Sequence, residues 1–112
     1  MLIVHLVIAA AGVTLLLNSF LTFDRLVKAE YAFNRTAWEA DGKPNGFFWR
    51  APERTIFGSD WARTRLSFAW LFTTPPWMNN STDYAALLKR FRIGVLVWNI
   101  FGLVVILTMP FR

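Results

Sequence analysis

The sequence predicts an all-α membrane protein: two transmembrane helices joined by an ordered, partly helical, aromatic-rich cytoplasmic segment. Three observations carry this. Residues 1–23 contain no Lys, Arg, Asp or Glu, and neither do residues 93–111. Residues 24–92 hold 11 of the 12 basic residues and all seven acids. Fourteen of those middle residues are Phe, Trp or Tyr. A single soluble domain has no reason to place two long uncharged runs at its ends, and the aromatic load excludes disorder. The absence of Cys excludes a disulfide-stapled module and a Cys-based zinc or iron–sulfur site.

The first span is expected over residues 1–23. Its uncharged run, residues 2–23, has 22 residues. At ~1.5 Å per residue that is about 33 Å, enough for a hydrocarbon core of about 30 Å. Nothing basic precedes the run, so it is expected to be an anchor rather than a cleaved signal. Residues 24–41 lack Gly and Pro and are expected to continue as helix. Gly42-Lys43-Pro44-Asn45-Gly46 then ends it, with Asn45-Gly46 suited to a positive φ. Residues 47–58 are expected to be irregular. A helix over 60–73 follows, capped by Ser59, with Asp60 in its first turn. Trp61, Phe68, Leu71 and Phe72 share one face, while Leu66 and Trp70 fall elsewhere, so the helix is either buried or partly sunk in lipid. Pro75-Pro76 stops it. Ser81 or Thr82 caps a last helix, whose cytoplasmic turns (82–92) lead into a second span over 93–110 ending at Pro110.

Charge sets the expected orientation. Arg25 and Lys28 follow the first span, and Lys89, Arg90 and Arg92 precede the second. The positive-inside rule therefore puts the middle in the cytoplasm and both termini in the periplasm. The same five residues are expected to meet lipid headgroups. The formal charge of +5 then reports topology rather than nucleic-acid binding. Arg50, Arg54, Arg63 and Arg65 do mix with Trp49, Trp61 and Trp70, but Glu53 and Asp60 interrupt that set.

Within the spans, Ala10, Thr14, Asn18 and Thr22 recur every fourth residue and form a small, polar face. Asn99 and Gly102 share a face of the second span, with Gly94 nearby. Such faces let helices approach in lipid, and Ala10, Thr14, Asn18, Asn99 and Gly102 are the expected packing residues. A proton or ion pathway normally needs ionisable groups, and the spans hold none of Asp, Glu, Lys or Arg. His5, the only His, is the one candidate ligand for a haem or chlorophyll-type pigment, against the commoner reading of an interfacial His.

Phe47, Phe48, Trp49, Trp61, Trp70 and Trp77 are the expected partner surface, since ring-rich segments suit a membrane interface or a protein partner. The competing reading is a small core made by the middle segment itself. Enzyme signatures are missing: there is no phosphate-binding glycine loop, zinc motif or paired nucleophile system. The expected role is therefore non-catalytic: an accessory or scaffolding subunit of a larger integral membrane complex, respiratory or photosynthetic. It would hold no cofactor of its own, while touching lipid or a partner's pigment. Two alternatives are a free-standing, self-associating membrane protein and a small oligomeric transporter or pore.

Gly46-Phe47-Phe48, the stretch 65–70, Lys89-Arg90-Phe91-Arg92 and Gly102-Leu103-Val104-Val105 give the chain, over nearly its whole length, a layout that resembles the universal stress protein B family of small bacterial inner-membrane proteins. The resemblance implies two spans around a basic, aromatic-rich middle, a bacterial inner membrane, and an association with stress and stationary phase rather than a chemistry.

Overall fold

The computed structural model describes residues 2–108. Four α-helices and one 3₁₀ turn account for its regular structure, with no strand among the described residues. The expected end of the second span, at residues 109 and 110, lies outside them.

Helix α1 runs unbroken through Leu2–Phe33. Its 32 residues span about 48 Å, so it outruns a bilayer core and carries its charged end clear of it. The expected continuation past the boundary is present but stops earlier than residue 41. Asn34 leaves helical geometry at φ −136° and ψ 54°, and a short α2, Arg35–Ala40, starts in a new direction. Asn readily trades helix for local bonding. The kink lets Arg35 fold back, donating to the Tyr31 carbonyl at 2.7 Å and lying 3.6 Å over the Tyr31 ring.

The turn after α2 differs from expectation. Positive φ falls on Gly42 (95°) and Lys43 (57°), not on Asn45-Gly46. The Gly42 amide bonds the Glu39 carbonyl and the Lys43 amide bonds the Trp38 carbonyl. That is a helix C-terminal closure, and it needs its left-handed residue directly after the helix.

Of the stretch expected to be irregular, 47–57 is so, while residue 58 already belongs to the next helix. Helix α3, Gly58–Phe72, begins before Ser59, so Ser59 does not cap it. The buried Ser59 hydroxyl instead accepts the Thr55 amide at 2.8 Å. After a 3₁₀ turn over Pro76–Asn80, the Ser81 hydroxyl accepts the Asp83 amide at 3.2 Å and α4, Thr82–Thr108, runs on without interruption.

Helices α1 and α4 form an antiparallel hairpin. Gly12 meets Phe101, Ser19 meets Gly94, and Phe23 meets Phe91. Both helices are long and apolar enough to cross a membrane. Only 6% and 11% of their most apolar stretches are buried, unlike core helices of a soluble protein. Leu6, Val7, Val13, Leu96, Ile100 and Leu103 are exposed, as lipid-facing side chains would be.

The core lies at the inner ends of the uncharged runs and beyond them. Phe23, Leu26 and Val27 of α1 pack with Trp38, Leu66, Trp70, Trp77, Met78, Leu88 and Phe91. Phe23 is the hub, with ring centroids of Trp70 and Phe91 at 5.2 and 5.5 Å. The middle segment thus builds its own small aromatic core on the projecting ends of the hairpin.

Candidate functional site

The boundary between spans and middle segment is organised by carboxylates. Asp24 is the first charge after the uncharged run and is 7% exposed. Its carboxylate accepts three consecutive backbone amides: Phe47 at 2.5 Å, Phe48 at 2.8 Å and Trp49 at 3.0 Å. Charge-assisted bonds of this kind clamp the loop to α1. Gly46 is required there, because a Cβ would collide with that carboxylate. The clamp lays Phe47 flat on Phe20, with centroids 4.0 Å apart.

Asn45 and Asp60 form a second clasp. The Asn45 amide donates to the Ser59 carbonyl, its Oδ1 accepts the Ala51 amide, and its Nδ2 donates to Asp60 Oδ1. Asp60 also pairs with Arg50 at 2.5 Å and Arg63 at 3.4 Å. The Asn45 bond, and then the two guanidiniums, hold the Asp60 carboxyl below its ordinary pKa.

Glu30 is fully buried. Trp77 Nε1 donates to its Oε2 at 3.0 Å, whereas Oε1 has no hydrogen-bond partner. Burial, with the nearby Asp41 carboxyl adding to it, pushes its pKa from the ordinary 4.5 up to about 9. Glu30 is therefore neutral at physiological pH, which removes the cost of a buried charge.

The expected partner surface divides. Trp70 (1% exposed) and Trp77 (9%) are buried in the chain's own core. Their rings were needed to close the small core on Phe23 and Glu30. Phe47 and Trp49 are half-buried, while Phe48 and Trp61 are exposed. The expected headgroup residues divide too. Arg25, Lys28 and Lys89 are exposed. Arg90, also exposed, donates to Asn18 Oδ1 at 3.0 Å, across the mouth of the hairpin. Arg92 turns inward, donating to the Trp70 carbonyl at 2.8 Å and to Thr74 Oγ1 at 3.1 Å. A cation at the C-terminal carbonyls of α3 complements that helix end.

The hairpin seam runs through Gly12, Ser19 and Gly94 rather than through the whole expected face. A Cβ at Gly12 would lie 3.0 Å from the Phe101 ring, and one at Gly94 would lie 2.6 Å from Ser19 Oγ. Ala10, Thr14 and Asn99 are exposed, and Gly102 has open space where a Cβ would go. Asn18 alone of the expected five bonds across the hairpin. His5 is exposed at the lip of an open apolar groove of about 450 Å³ between α1 and α4, with Ile8, Gly12, Phe101 and Val105. Among the described residues no group of three His, Cys, Asp or Glu is placed to hold a metal ion.

Asp24 and Glu30 were missed in the sequence. Asp24 carries a faint signal, as the first charge after an uncharged run. Glu30 carries none, being one acid among seven in a charged segment. Comparison of the chain with protein-family models, characterised proteins and solved structures found no match.

Proposed function

We propose that the chain is a non-catalytic accessory or scaffolding subunit of a larger membrane complex, of the respiratory or photosynthetic kind, acting by helix and lipid packing. In this proposal it sits in a bacterial inner membrane, with the middle segment cytoplasmic and both termini periplasmic. The exposed Arg25, Lys28 and Lys89, all on the middle-segment side of the spans, support that orientation.

One observation carries the proposal: small and polar positions on the outer sides of both helices, Ala10 and Thr14 on α1 and Asn99 on α4, that make no contact across the hairpin seam. At 100° per residue, Ala10 lies about 160° around α1 from Gly12, and Asn99 about 160° around α4 from Phe101. Both lie off the seam, Asn99 at the edge of the crevice between the hairpin and α3. Thr14 Oγ1 donates to the Ala10 carbonyl at 2.8 Å, which hides its polarity and keeps that face of α1 narrow. Asn99 Nδ2 donates to the Val95 carbonyl at 2.7 Å, while its Oδ1 accepts nothing among the described residues. A free amide oxygen in a span favours a donor on a neighbouring helix.

Native mass spectrometry after mild solubilisation tests this. Co-migration with a haem- or pigment-containing complex, lost on Thr14→Leu with Asn99→Leu, is the expected result. A homo-oligomer alone would overturn it in favour of a free-standing, self-associating protein.

A further inference from the structure

We propose that α3 is an in-plane membrane helix, seating an aromatic stripe in the acyl region of the leaflet next to the middle segment. The occupant of its exposed face is lipid. Trp61, Phe68 and Phe72 are 67%, 63% and 83% exposed. At 100° per residue they fall within about 40° of one another around the helix. The opposite side, Ala62, Leu66 and Trp70, is buried in the aromatic core. The helix is thus apolar on two sides, and only one of them is covered by protein.

Depth identifies what covers the other. Phe68, Ser67 and Leu71 line a crevice shared with both spans. It reaches from Phe20 and Phe91 at the boundary to Leu16 and Trp98. Leu16 lies seven residues inside the end of the first uncharged run, and Trp98 lies six beyond Arg92. At ~1.5 Å per residue, the crevice extends roughly 10 Å into the apolar zone. Phe68 is therefore continuous with the lipid-facing surface of the hairpin. In-plane helices commonly sink about 5–10 Å below the headgroups.

The nearby charges are arranged for that setting. Arg65 lies in the same row as the stripe, between Trp61 and Phe68, and its guanidinium donates to the Asp41 carbonyl at 3.2 Å. Arg63 turns to Asp60. Arg92 ties the last turn of α3 to α4 through the Trp70 carbonyl, fixing the helix against the hairpin. Arg65 is the one charge in the stripe, and the exposed Arg25, Lys28 and Lys89 lie near the boundary, where anionic headgroups would sit.

The chain has no Cys, so single cysteines are unique labelling sites. Full-length protein with a spin label at 61, 68 or 72 is placed in vesicles of phosphatidylethanolamine and phosphatidylglycerol. Collision with oxygen, which partitions into lipid, is compared with collision with a water-soluble nickel chelate. Labels at Ile100 and Glu39 set the lipid and water limits. The expected result is an oxygen-to-nickel ratio at 68 and 72 matching Ile100 and several-fold above Glu39, with 61 close behind. Ratios at the Glu39 level, with Ile100 still lipid-like, would overturn the proposal. An Ile100 label that is itself reached by nickel would overturn both the spans and the in-plane helix. Labels at 68 and 72 shielded from both reagents in native membranes, yet open to nickel in the vesicles, would assign the stripe to a protein partner instead.

Discussion

Glu30→Gln should make the middle segment less sensitive to pH and more stable in mild alkali. Glu30 is buried and its pKa is raised from 4.5 to about 9. The closed segment therefore holds a proton that the opened segment releases. Its contribution is fully present below pH 4.5 and is lost as pH climbs toward 9. Each unit in that window costs about 1.4 kcal/mol, so moving from pH 5 to pH 8 removes about 4 kcal/mol from the opening free energy. Gln has nearly the same shape and keeps an acceptor for Trp77 Nε1, but it cannot ionise. The assay is hydrogen exchange of the amides of Arg35–Ala40 in nanodiscs, corrected for intrinsic rates. Wild-type protection should fall steeply from pH 5 to pH 8, while protection in the variant stays nearly level. At pH 8 the variant should be the better protected by roughly 10²-fold or more, which is about 3 kcal/mol. A flat wild-type profile, or a variant that falls in parallel, would show that Glu30 is already charged or reached by water.

Asp24→Ala removes the acceptor of three amides and should open the 46–49 loop at a cost of about 3 kcal/mol or more, read as faster proteolysis at Arg50 and Arg54. Gly46→Ala, which pushes a methyl group into the same carboxylate, should weaken the loop by about 1–3 kcal/mol by the same readout. Gly94→Ala should lower the melting temperature in detergent, while Gly102→Ala leaves it within about 0.5 kcal/mol of wild type, because only Gly94 faces a close neighbour. Arg92→Ala should loosen the last turn of α3 by about 1–2 kcal/mol, seen as faster exchange of the Thr73 amide, which bonds the Ala69 carbonyl.

Legibility followed the range of the interactions. The uncharged runs gave both long helices, because spanning a bilayer is a matter of length and polarity within one segment. Ser81 as a cap was local and readable. Ser59 looked the same in sequence, but its hydroxyl was taken by Thr55 and the helix began earlier. The placement of the positive φ failed for a related reason. Asn45-Gly46 is strong turn chemistry, yet Gly42, just past the Asp41 cap of α2, carried the closure. Among the aromatics, composition could say that rings were plentiful but not which would turn inward. Trp70 and Trp61 sit in one helix, nine residues apart, and are 1% and 67% exposed.

The sequence by itself determined two long apolar helices and a charged, ring-rich segment between them. Those properties depend on the sum of side-chain transfer energies along a stretch, and a sum can be read without knowing what touches what. Only the tertiary structure decided that Asp24 holds loop amides 23 to 25 residues away, that Glu30 is kept neutral under Trp77, and that Gly94 rather than Gly102 closes the hairpin. Each of those depends on a meeting between distant positions, and the identity of one partner does not fix the other.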